Sequence, residues 1–193
     1  MKQRIAIVTG VSGVGKSSLL ARVADQLPMQ ILSAGRLISE ELARSRGAAV
    51  SYDDLRTLDI GANQAALQVG FELARDPHAN TVVLDAHVAI DTPDGFQPIE
   101  ATVFGSVGAE IMIFLEREPK RIFENRSRDP FRSRPLRDIE TLDRQQRQAK
   151  RYAEDIASEL GISFLSVRCE RPDDLIQVLT SEECHQACQT GRQ

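Results

Sequence analysis

The chain has 193 residues, 41% of them hydrophobic and 27% charged, with a formal net charge of −4. That is enough for one domain with a real core, too little for two ordinary domains, and unlike a disordered or repetitive chain. No Trp and 5% aromatics leave no stacking platform for single-stranded nucleic acid, and the acidic total argues against a nucleic-acid surface.

Short β-rich apolar runs alternate with amphipathic stretches along the whole chain. RIAIVT (4–9) is the first predicted strand, followed by a helix over 16–27; QILS (30–33) is the second, followed by helices over 36–46 and 63–75. TVVLD (81–85) is the third strand, and a helix is expected over 99–107. EIMIFLE (110–116) leads to a helix over 119–127, and a long helix over 141–160 stops at Gly161. SFLSV (163–167) and a helix over 172–180 complete the order. Continuously apolar strands suit a sheet covered on both faces, so the expected fold is α/β, a five-stranded, mainly parallel sheet with helices on either side. The excursion between the second and third strands, 34–80, exceeds what a crossover needs and is expected to form a helical flap. Residues 127–137, SRDPFRSRPLR, carry Pro130 and Pro135 and read as a loop able to act as a lid. Residues 1–180 are thus expected to be one domain, with a lid over 126–140, and 181–193 a polar tail.

Charge is unevenly spread. Residues 117–151 hold 12 Lys and Arg against 6 Asp and Glu, and ten of the cations are Arg, whose planar fork suits phosphate oxygens. An anionic ligand over this segment is the natural expectation. No run approaches the length of a membrane span, Ile5 to Val8 is too short for a signal-peptide core, and three cysteines at 169, 184 and 188 make no disulfide framework. A cytoplasmic setting with no membrane partner is therefore expected; oligomeric state is left open.

The chemistry concentrates at GVSGVGKS, 10–17, which fits G-x-x-x-x-G-K-[ST] between a predicted strand and a predicted helix. Glycines at 10, 13 and 15 let backbone N–H groups approach phosphate oxygens, and the helix N-terminus adds partial positive charge. The nucleotide-binding set is therefore Gly10, Ser12, Gly13, Val14, Gly15, Lys16, Ser17 and Ser18. Lys16 is placed on the β- and γ-phosphates, Ser17 on Mg²⁺, and Asp85, closing an otherwise apolar strand, is the second metal residue. His87, two residues on, falls on the side of Asp85 if the chain stays extended, and reads equally as a structural histidine.

P-loops serve switches, motors and kinases alike, but no guanine-reading N-K-x-D occurs. VTGVSGVGKSS, SAGRL after the second strand, DDLRTLD, LDAHVAIDTPDGF and RDIE (137–140) together resemble the small nucleoside monophosphate kinases. The likeness is greatest to archaeal-type adenylate kinases and their eukaryotic nuclear relatives. The D-x-H of Asp85 and His87 is its most discriminating element. The resemblance implies a P-loop phosphotransferase that uses ATP and Mg²⁺ and has a nucleoside monophosphate as acceptor. By the same likeness, Gly35, Arg36, Arg56 and Gln64 fall on the acceptor side. Arg126 and Arg137 join Lys16, Asp85 and His87 as catalytic candidates, and Arg128, Arg132, Arg134 and Arg151 belong to the lid. The DGF at 94–96 lies too far past Asp85 and lacks a following Pro-Arg, so it is not read as an acceptor motif.

Two other readings stay open at this level. A hydroxyl acceptor, as in nucleoside or small-metabolite kinases, needs a carboxylate to take its proton, and Asp85 meets that need. A regulatory ATPase related to the nuclear relatives would pass the phosphoryl group to water, with His87 orienting it. Arg144 and Arg147 share a helix face with Arg151 and read either as part of a phosphate clamp or as a solvated face. Arg44 and Arg46 carry the same ambiguity at a helix end. Cys184, His185 and Cys188 supply three possible ligands without a fourth, a weak zinc signal.

Overall fold

The computed structural model describes residues 3–47, 60–92, 95–128 and 137–181. Its elements in chain order are β1 (Arg4–Thr9), α1 (Lys16–Ala24), β2 (Gln30–Ser33), α2 (Ala34–Arg46), α3 (Ile60–Ala74), β3 (Thr81–Asp85), β4 (Ala89–Thr92) and β5 (Gly95–Pro98). There follow α4 (Thr102–Gly105), β6 (Ile111–Glu116), α5 (Pro119–Ser127), α6 (Ile139–Leu160), β7 (Ser163–Arg168) and α7 (Pro172–Thr180). Five strands make one sheet in the order β2-β3-β1-β6-β7, and every neighbouring pair in it is parallel.

The central strands explain themselves. β1, β3 and β6 bury Ile5 to Val8, Val82 to Leu84 and Ile111 to Leu115, so both faces are covered, as their unbroken apolar runs require. Leu19, Leu20 and Val23 of α1 and Ala149, Ala153, Ile156 and Ala157 of α6 pack into the same core. Because all five strands run the same way, their carboxyl ends share one edge. The register sets Asp85 beside Val8 on one side and beside Ser33 on the other. The loop after β1, the start of α2 and the end of β3 are therefore assembled at one place, and the strand order reverses there, with β2 and β3 to one side of β1 and β6 and β7 to the other.

All five expected strands are present, with ends within a residue of those read from the sequence. The helix expected over 99–107 is reduced to the single turn of α4. Residues up to Pro98 are taken by β5, and Ile99 N–H bonds to the Val88 carbonyl at 2.8 Å. The antiparallel hairpin of β4 and β5 was not expected at all. Its register sets Asp91 opposite Phe96 and Thr92 opposite Gly95, in a stretch whose sequence is read above for its motif alone. The hairpin rests on α6 through Phe96 stacked on Tyr152, with ring centroids 6.3 Å apart.

α2 and α3 supply the described part of the 34–80 excursion and pack on each other. A Cβ built on Gly70 of α3 lies 2.9 Å from the Leu37 carbonyl of α2, so a glycine is what permits this close approach. α6 begins at Asp138, whose carboxylate accepts from Thr141 N–H at 2.6 Å, and ends at Gly161 with φ of 65°, the two caps its sequence provides. Among the described residues no helix is long and apolar enough to cross a membrane.

Candidate functional site

A cavity of about 420 Å³ lies at the carboxyl edge of the sheet. Ser12, Gly13, Val14, Gly15, Lys16, Ser17 and Ser18 of the glycine-rich loop line it, with Gly35, Asp85, His87 and Arg128. All were singled out from the sequence, and the fold brings them together. Gly10 opens the loop and His87 Nδ1 lies 3.2 Å from its carbonyl oxygen. A carbonyl only accepts, so Nδ1 carries the proton and the ring is held at the loop's entrance.

The loop is fixed by side chains that the sequence reading did not assign to it, two of which, Arg117 and Asn125, also line the cavity. Arg126 Nε donates to the Ser12 carbonyl at 2.8 Å, Asn125 Nδ2 to Gly13 at 2.8 Å, and Arg117 Nη1 to Val14 at 3.2 Å. Across a trans peptide the C=O and the next N–H point in opposite directions. Holding the Ser12 and Val14 carbonyls toward α5 and Arg117 therefore turns the Gly13 and Gly15 N–H groups away from those side chains. Gly13 and Gly15 have φ of 88° and 101°, a region that favours glycine. A Cβ at either would lie 2.7 Å from Arg126 Cγ or Arg117 Nη1 respectively, so the braces and a side chain on the loop exclude each other. Gly15 is also the N-cap of α1, and no side chain caps that helix; its first turn is available to an anion.

Lys16 is buried and its ammonium is paired with the Asp85 carboxylate. The pair satisfies two charges that neither could carry alone in so enclosed a place. Arg117 is itself held at its backbone by Gln146, which accepts from its N–H and donates to its carbonyl, each at 2.9 Å, and its side chain approaches Glu170 at 3.0 Å. Cys169 packs near Gly15, and burial raises its thiol pKa above the ordinary value, with Arg117 and Arg22 opposing that rise. It is therefore a packing residue rather than a thiolate.

Arg126 and Arg137 are together, but on a carboxylate rather than in the cavity lining. Arg126 Nη1 donates to Asp91 Oδ2 at 3.0 Å; Arg137 Nε and Nη2 donate to Asp91 Oδ1 at 3.3 and 3.1 Å, and Nη2 also reaches the Thr92 carbonyl at 3.0 Å. Burial lowers the pKa of Arg126 from its ordinary value while the Asp91 hydrogen bond opposes the shift; the group stays charged.

On the other flank, Gly35 lies in the first turn of α2, whereas Arg36 is exposed and pairs with Glu40 at 3.7 Å along its own helix. Gln64 is half-buried on α3 and Arg151 is exposed on α6. Arg144 reaches Thr141, Arg147 pairs with Asp143, and Arg44 pairs with Glu41, which favours the solvated-face reading for all three. Arg56, Arg132, Arg134, Cys184, His185 and Cys188 lie outside the described residues, as do the middle of the expected lid and the tail after Ser181. Among the described residues no group of three or more His, Cys, Asp or Glu is placed to hold a metal ion. Ser17 and Asp85 offer hard oxygen donors at the cavity, the set suited to Mg²⁺ shared with phosphates and water.

Comparison with known proteins agrees with this geometry. A family model described as an AAA domain matches residues 9–143. The adenylate kinase of Thermoplasma acidophilum is 28% identical over 187 residues, covering 90% of this chain and 97% of that one. The adenylate kinase of Thermoplasma volcanium is 31% identical over 150 residues, covering 76% and 80%. Among solved structures, a shikimate kinase from Acinetobacter baumannii in complex with shikimate superposes with a TM-score of 0.51 at 15% identity, over 92% of this chain and 93% of that one. A sugar kinase from Janibacter gives 0.50 at 18% identity, over 97% and 98%. These two likenesses bear on the fold alone.

Proposed function

Since the chain belongs to the P-loop AAA-domain family and, within it, to the nucleoside monophosphate kinases of adenylate-kinase type, we propose that it transfers the γ-phosphoryl group of ATP to a nucleoside monophosphate with Mg²⁺, AMP being the first acceptor to test. The observation that carries this reading is the cavity itself, in which loop residues 12–18, Lys16, Asp85, His87 and the first turn of α2 converge on one volume.

The residues divide the work by charge. Loop N–H groups and the uncapped start of α1 hold phosphate oxygens in place, and their orientation is set beforehand by Arg126, Asn125 and Arg117. Donors fixed before the reaction need no reorganisation as charge develops, which is where such sites gain most of their rate. When a triphosphate enters, Lys16 exchanges Asp85 for phosphate oxygens, leaving Asp85 with Ser17 as the pair that would hold Mg²⁺. Held there, Mg²⁺ would supply charge neutralisation for the phosphate chain. A monophosphate acceptor is already anionic at neutral pH, so the site needs positioning rather than a strong base. Asp85, which with Ser17 would then hold Mg²⁺, suits the electrostatic role better than that of a base for a hydroxyl acceptor. Gly35 supports placing the acceptor on the α2 side of the cavity, with Arg36 of α2 and Gln64 of α3, which do not line it, as the further acceptor candidates, and Arg128 supports an anion-facing role for the end of α5. The unit is proposed to be a single kinase domain over 1–180 with its acceptor-binding insertion over 34–80.

The test is a panel of nucleoside monophosphates mixed with ATP and Mg²⁺. The expected product is the diphosphate of one preferred acceptor, formed in step with ADP. Free phosphate as the sole product would assign the chain to water as acceptor instead.

A further inference from the structure

Among the described residues, Asp91 is an enclosed carboxylate near the site that the proposed chemistry does not use. Its side chain is 6% exposed, yet it faces two guanidinium groups and spends one oxygen on each. The two arginines come from separate elements: Arg126 from the last turn of α5 and Arg137 from the residue before the Asp138 cap of α6. Arg126 is 7% exposed and continues to the Ser12 carbonyl through Nε. A buried chain thus runs from Asp91 through Arg126 to the peptide whose N–H belongs to Gly13.

From this arrangement the geometry points to Asp91 as a positioning residue for phosphoryl transfer, fixing Arg126 against the phosphate loop and holding Arg137 beside it. The inference rests on the kinase reading above. Two guanidinium groups brought to one carboxylate, Arg126 buried and Arg137 partly exposed, repel each other; the carboxylate makes the juxtaposition tolerable and sets its geometry. Only a charged, two-oxygen acceptor of about this reach does so. Asparagine keeps the volume but offers one acceptor oxygen and no charge. The Thr92 carbonyl, also bound by Arg137, comes from the next residue of the same strand, so the hairpin of β4 and β5 is the platform on which both arginines are mounted. A merely structural salt bridge would affect stability alone. A positioning residue affects turnover more than substrate binding, because a group displaced by a fraction of an ångström still binds but no longer meets the transition state.

The experiment compares wild type, Asp91→Asn, Asp91→Glu and Asp91→Ala in steady-state transfer from ATP to the preferred monophosphate, with melting temperature measured for each. Asp91→Asn is expected to lower kcat by at least about tenfold while KM for ATP changes by less than about threefold. Asp91→Glu is expected to recover part of the loss. Added formate is expected to raise kcat of Asp91→Ala in a saturable manner, with chloride at equal ionic strength as the control. If Asp91→Ala does not fold, the Asn and Glu variants decide alone. An unchanged kcat in Asp91→Asn, or equal losses in the Asn and Glu variants, would overturn the assignment while leaving the kinase reading intact. A wild type that forms no diphosphate with any acceptor would overturn both.

Discussion

Lys16 shows how a single side chain contributes to the chemistry and to the fold at once. It sits at the first position of α1, buried, with Asp85 as its counter-ion. Lys16→Ala removes a phosphate donor from an enclosed site, where one such donor is worth about 10² to 10³ in rate. Turnover is expected to fall by that order, and the melting temperature is expected to fall as well, because Asp85 loses its counter-ion in an enclosed place, while the circular dichroism spectrum keeps its α/β shape. Measuring kcat beside a thermal melt checks this, and wild-type turnover would show that the phosphates lie elsewhere. At this scale the sequence was a good guide wherever a backbone motif carries the chemistry. Loop residues 10–18, Asp85 and His87 are recognisable because their spacing along one strand and one loop fixes their geometry. Arg117, Asn125 and Asp91 were not found in this way. Each acts through a contact with a distant part of the chain, and no local pattern marks an Asn that will brace a carbonyl 112 residues away. Arg126 and Arg137 were singled out by resemblance, but the carboxylate they share lay in a hairpin that had not been anticipated.

Among elements, the pairing of α2 with α3 is the contact most sensitive to a small change. Gly70 faces the Leu37 carbonyl, and a methyl group there would meet it at 2.9 Å. Backbone is the obstacle, so the helices must part rather than a rotamer turn. Gly70→Ala is expected to destabilise by about 1–3 kcal/mol as overpacking does. For a chain of this size that lowers Tm by about 2–4 °C per kcal/mol. Because Gly35 and Leu37 share α2, KM for the acceptor is expected to rise more than KM for ATP. A melt combined with two KM values distinguishes this from a general loss of fold. The strands and most helices were legible because burial on both faces leaves a continuous apolar signature and a cap such as Gly161 marks a helix end. β4 and β5 were not, since neither strand alternates cleanly; every residue of β4 is only partly buried. α4 was overcalled because apolar Val103, Phe104 and Val107 repeat at helical spacing although the backbone makes one turn only.

For the molecule as a whole, the carboxyl edge of the sheet is also where acid acts. Glu116, closing β6, would be raised by burial, but hydrogen bonds from Lys150 and Ser166 and the charges of Lys150 and Arg168 outweigh that and hold its carboxyl below the ordinary value. A carboxyl depressed in the folded state stabilises the fold above its unfolded pKa, and that contribution disappears as pH falls through the folded value. Melting temperature is therefore expected to drop on acidification below the usual carboxylate range, and the drop is expected to be shallower in Lys150→Met, which removes the partner 2.5 Å away. Parallel melting curves for the two proteins across that range would contradict the assignment. The order β2-β3-β1-β6-β7 has one more consequence, during synthesis. β1 leaves the ribosome before either strand that flanks it has been translated, and its Ile-Ala-Ile-Val run has no edge to join until β3 emerges and no cover on its other side until β6 follows. An apolar strand from the centre of the sheet is thus kept waiting from the start of synthesis, and a holdase chaperone would find its binding site there.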